Sequence, residues 1–177
     1  CAIDFHAPDV ALCPKIWSTS PGTIVHRVAG DARVFERQAC ARGTHARDLA
    51  REELAVFKMS MNGPDTSATF APAALLYYHF SRWFGAAVDV PPTVYRSVSR
   101  EEHLSRVARP GVALTAGHDN LAMIHAGWSR MVAGHQAPAI DGSVEVEATL
   151  VDDGGVPSTT GQVWGTVTMG GAAMGTP

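Results

Sequence analysis

Lysine is nearly missing from this chain: Lys15 and Lys58 are the only two among 177 residues. Arginine carries the rest of the positive charge, which fits a GC-rich genome better than a function. The scarcity singles out Lys58, which sits inside the apolar run "LAVFKMSM". Positive charge is not in excess either. A formal net charge of −3 excludes the basic footprint of a nucleic-acid-binding domain. Charged residues make up only 18% and hydrophobic residues 46%, which excludes a disordered chain and fits one globular domain with a real core. No apolar run is long enough to span a bilayer. Partners are not specified by any of this.

Cysteine is scarce too, with Cys1, Cys13 and Cys40 only. The first residue is Cys1 and not Met, so the chain is expected to be a processed or truncated product. A leading cysteine is what a mature bacterial lipoprotein presents. On that reading Cys1 carries a lipid and is the sole link to a membrane. Cys13 and Cys40 are then left to pair in an oxidising compartment, periplasmic or envelope-associated. The alternative is a cytoplasmic protein with an arbitrary start and three reduced thiols.

Residues 1–22 read as loop, anchored by Ile16 and Trp17, and 170–177 as a tail that frays. Between them, "TIVHRV" (23–28) is rich in β-branched residues and reads as a strand. After the "AGD" turn, "ARVFERQ" reads as its return strand. "THARDLAREELAVF" (44–57) has helical spacing, with Thr44 as N-cap. Lys58 would then close its last turn, where a cation favours the helix dipole. "LAVFKMSM" also fits a strand, so the placement of Lys58 stays open.

A turn cluster at 62–67 precedes an apolar helix over about 71–84, with Pro72 in its first turn and Gly85 at C′. Being apolar nearly all round, it is expected at the centre of the core. "VDVPPTVYRSV" (88–98) reads as an edge strand because of Pro91 and Pro92. "SREEHLSRVA" (99–108) opens with a capping box, Ser99 and Glu102. A second helix covers about 118–134, with Asp119 in a capping role. "SVEVEATLV" (143–151) and "GQVWGTVTMG" (161–170) alternate as strands and are expected to form a C-terminal hairpin. The expected fold is α+β over a single domain, 1–177: an antiparallel sheet packed on the central helix 71–84, with 118–134 as a second cover. The chain is either whole or a piece of a longer protein.

"AVFK", then "YYHFSRWFG", then "VPPTVYR" gives a lysine on a strand, an aromatic-rich helix and a following strand. This run, 54–96, resembles the small lobe of atypical kinases, namely the secretory-pathway kinases and the phosphatidylinositol-kinase-like group. The resemblance implies that Lys58 holds a nucleotide phosphate and that the ligand is Mg-ATP. The chain departs from the pattern in three places. Helix 71–84 contains no Asp or Glu to hold the lysine, "STSPGT" (18–23) is the only candidate glycine-bearing loop, and no catalytic-loop or metal-binding motif follows. The resemblance thus implies a truncated or inactive small lobe.

Arg82 and Arg96, close to aromatic residues, are further candidates for an anion clamp with Lys58. The alternative for each is an ion pair with Asp89 or Glu102. His118, His125 and His135 lack zinc spacing, and no metal site is expected. No GxSxG elbow singles out a nucleophilic serine. Two readings remain: an exported domain that binds without catalysis and needs no cofactor, or a kinase-like small lobe.

Overall fold

The computed structural model describes residues 3–59, 72–136 and 162–169. The fold is α+β in one domain. Five strands, β1 Val10–Pro14, β2 Thr23–Arg27, β3 Glu52–Met59, β4 Thr93–Ser99 and β5 Gln162–Met169, form one antiparallel sheet in the order β1-β2-β3-β5-β4. The helices are α1 Ala32–Ala39, α2 Pro72–Trp83, α3 Arg100–His103, α4 Arg109–Thr115 and α5 Ala122–Gln136. A π-turn at Leu104–Ala108 joins α3 to α4, and 3-10 turns cover Cys40–Leu49 and Asp119–Leu121.

Alternation along the strands gives the sheet two different faces. Leu12, Val25, Phe57 and Val167 point to one face and belong to the main core, with Val107, Ile124, Trp128 and Met131 from the helical layer. Trp128 is wholly buried against Gly111 of α4, where a Cβ would overlap the indole. The glycine therefore allows α4 and α5 to approach closely. The opposite face has two separate covers. Over β1, Ala11 and Cys13 pack against α1 and the turns after it, and Cys13 is joined to Cys40 by a disulfide. Over β4 and β5 lies α2.

Several expectations are corrected here. Residues 32–38 form α1 and not a return strand, because the Asp31 carboxylate caps the helix by accepting from Val34 N–H at 2.8 Å. Residues 10–14, inside the expected loop, form edge strand β1. The helix expected over 44–57 does not form. Its first half belongs to the 3-10 stretch Cys40–Leu49, which is kinked at Gly43 (φ 60°), a conformation open to glycine. Its second half is β3, whose apolar residues gain two strand partners.

Helix α2 forms where expected and ends in a Schellman arrangement: Ala86 N–H donates to Ser81 O, Gly85 N–H donates to Arg82 O, and Gly85 has φ 72°. It is not central, since none of its residues is buried. Tyr77, Phe80, Trp83 and Phe84 are exposed. The last three stack on one another, with ring centroids 5.7–6.5 Å apart. Asp119 opens the 3-10 turn Asp119–Leu121 that precedes α5, and the cap position of that turn is His118, without a side-chain cap bond. Over Gly165–Thr168, β5 has β3 on one edge and β4 on the other. The other strand of the expected hairpin, 143–151, lies outside the described residues, as do Cys1, the turn 62–67 and the tail 170–177.

A short polar chain crosses the core between the sheet and α5. His135 Nδ1 lies 2.7 Å from Met131 O, so it carries the proton and leaves Nε2 to accept. His103 Nδ1–H then donates to His135 Nε2 at 2.9 Å, and Thr23 Oγ1–H donates to His103 Nε2 at 3.0 Å. A single carbonyl thus sets both tautomers. Burial lowers the pKa of His103 well below its ordinary value and that of His135 to about 4. On the other side of β1, Arg106 is held by Glu36 and Glu102 and donates to Phe5 O and Val10 O, both at 2.8 Å. It ties the N-terminal segment to the π-turn.

Candidate functional site, a lysine groove on the split face

The two covers of the second face leave a groove between them. β3 runs along its floor, with Val56 and Lys58 pointing in. Across the register, Thr166 sits opposite Lys58 and Thr168 opposite Val56. Thr93 of β4 sits opposite Thr168. These residues, with Lys15, Ala74 and Tyr77 of α2, Val90, Pro91 and Met169, line a cavity of about 340 Å³. The wall is apolar and the floor carries hydroxyls. Thr93 Oγ1–H donates to Pro91 O at 3.1 Å, so Thr168 is the donor in the 3.2 Å contact between the two hydroxyls.

Lys58 is half-buried on a strand and faces this cavity. That decides the open placement in favour of the strand over the helix end. The cause is the pairing of β3 between β2 and β5, which favours period two over the helical period that "RDLAREELAVF" also fits. Among the described residues no carboxylate lies within ion-pair distance of Lys58, although Arg33, Arg106 and His6 share Glu102. Burial and, second, the charge of Lys15 push the Lys58 pKa below the usual lysine value.

Two glycines lie against Lys58, and the strand geometry requires the first of them. Gly165 of β5 lies so close to Lys58 that a Cβ would collide with the Lys58 carbonyl oxygen. Gly22 packs on the lysine stem, where a Cβ would stand 3.4 Å from Cγ and 3.6 Å from Cε. Gly22 belongs to "STSPGT", which the structure places in the connection from β1 to β2.

The other two expected clamp residues are elsewhere. Arg96 extends to the core face, donating from Nη2 to Ile3 O at 3.0 Å and lying 5.7 Å over the Phe5 ring. Arg82 is exposed in the last turn of α2 and does not line the groove. Lys15, which the sequence marked only by rarity, is the cation that joins Lys58. Beyond Lys15 and Val56 a second cavity of about 230 Å³ opens, lined by His26, Glu53, Thr44, Arg47 and Trp17. Buried His26 has no hydrogen-bond partner for Nδ1 among the described residues, and burial lowers its pKa to about 4. Comparison with family models, with curated proteins and with solved structures finds no match to this chain.

Proposed function

We propose that the groove binds the phosphate groups of a nucleotide through Lys58, as a kinase-like small lobe does, in a domain exported from the cytoplasm. The position of Lys58 carries this reading: a half-buried cation on a strand, aimed into a cleft beside α2, with no carboxylate partner among the described residues. A cation taken partly out of water costs free energy unless an anion meets it. In protein kinases the phosphate-binding lysine also stands on a strand that precedes a helix. Here β3, α2 and β4 follow in that order, and the β1–β2 connection reaches Lys58 through Gly22.

The departures limit the proposal to binding. α2 offers no carboxylate to hold the lysine, so its position depends on β5 and Gly22. No acidic residue lines the cavity among the described residues, so a Mg²⁺ ion would arrive on the nucleotide. Phosphoryl transfer needs a base and metal-holding carboxylates in addition, and a small lobe supplies neither. The Cys13–Cys40 bond supports an oxidising compartment.

The test is thermal unfolding with Mg-ATP. ATP at about a hundredfold over its Kd should stabilise the protein by about 2.7 kcal/mol, and Lys58→Met should abolish the shift. No shift in the wild type at millimolar ATP sinks the reading.

A further inference from the structure

We infer that Lys15 is a second anion-binding residue of the groove, and that the two lysines together select a ligand with two neighbouring anionic groups over a ligand with one. The inference rests on the phosphate reading of Lys58 and adds the residue that sets the number of charges the site accepts.

The chain's only lysines, far apart in sequence, line the same cavity. Their convergence has a backbone cause. Lys15 N–H donates to Gly22 O at 2.9 Å, closing the root of the β1–β2 connection. Gly22 in turn packs against the stem of Lys58. One glycine thus lies between the two side chains and holds their roots side by side. Both lysines are only partly exposed, and neither makes an ion pair among the described residues. Elsewhere in the fold a buried cation is neutralised, as Arg106 is by Glu36 and Glu102.

Two unneutralised cations on one groove repel each other, and solvent screens them less than at an open surface. A single anion of one charged group meets one lysine and leaves the other uncompensated. A diphosphate meets both and removes the repulsion. The hydroxyl of Thr166 stands beside Lys58 on the floor as a neutral group, and that of Thr168 already donates to Thr93, so neither discriminates between the ligands. Discrimination is left to Lys15.

The experiment compares ADP with AMP by isothermal titration calorimetry on the whole chain. ADP carries more charge than AMP toward any cation, so the diagnostic is the change in the ADP-to-AMP affinity ratio on mutation. Lys15→Met should reduce that ratio by about tenfold, the worth of one charge-assisted contact, while AMP affinity stays within about twofold. Lys15→Arg should retain most of the wild-type ratio, which a merely structural role for the stem would not require. Lys58→Met should weaken both nucleotides. An unchanged ratio in Lys15→Met overturns the inference, and so does equal weakening of both ligands. Either result leaves the Lys58 reading standing, whereas a wild type that binds no nucleotide removes both. Thermal unfolding without ligand accompanies each variant, and a wild-type-like midpoint assigns the affinity change to the groove.

Discussion

Lys58 owes its character to what surrounds it. Its stem is packed on Gly22, its backbone is pressed against Gly165, and its charge faces a groove that contains another lysine. Gly165→Ala should cost about 2 kcal/mol in urea unfolding, because the added methyl must push β5 away from the Lys58 carbonyl. An unchanged midpoint would mean that the two strands separate there without penalty. Gly22→Ala introduces only an ordinary contact with the lysine stem, so it should be nearly neutral for stability. Because the Lys58 pKa is lowered, its charge is lost as pH rises through a point below the usual 10.5. On the proposed phosphate-binding reading, nucleotide affinity should therefore begin to fall at lower pH than ordinary lysine titration would predict. Affinity that holds constant up to the ordinary lysine range would contradict that.

At the scale of elements, α2 and α5 invert the simple expectation that the more apolar helix lies deeper. Neither helix carries an acid; α2, with only His79 and Arg82 as basic groups, is nowhere buried, while α5 carries His125, Arg130 and His135 and supplies the wholly buried Trp128. Trp83 is 76% exposed on α2. Trp83→Ser should therefore change stability by less than about 0.5 kcal/mol, while Trp128→Ala should cost about 3–5 kcal/mol. Chemical denaturation of the two variants side by side checks this. A large loss for Trp83→Ser would place the stacked aromatics in a packed environment.

For the whole molecule, two features set how stability responds to conditions. The Cys13–Cys40 bond has a sequence separation of 27, and closing such a loop is worth about 3–4 kcal/mol in the chain-entropy account. Reduction should lower the unfolding midpoint accordingly, and an unchanged midpoint would show that the tie is redundant. The second feature is the set of buried neutral histidines. His103, His135 and His26 have folded pKa values below the ordinary 6.5, two of them at about 4. Between those values the unfolded chain binds protons that the folded chain does not. Stability is then complete above 6.5 and falls as pH drops toward about 4. Urea midpoints across that interval should decline, and His135→Asn should flatten the decline, whereas a flat wild-type profile would argue against burial of the pair as described.

Local chemistry made some of this legible in the sequence. The α+β class, strand β2, the strand after Pro91–Pro92, the Gly85 stop of α2 and the Cys13–Cys40 pair all follow from short-range preferences or from residue counts. Rarity, its place in an apolar run and the pattern of 54–96 pointed to Lys58. Tertiary structure decided the rest, because the competing local signals were nearly balanced. "LAVFKMSM" fits either period, and only its two strand partners make it β3. "ARVFERQ" became a helix through the Asp31 cap and packing on β1. Hydrophobicity said that α2 could be buried, but burial depends on what lies over a helix, and that is long-range information. Lys15 and Lys58 meet for the same reason: strand order, and not spacing along the chain, brings them to one groove.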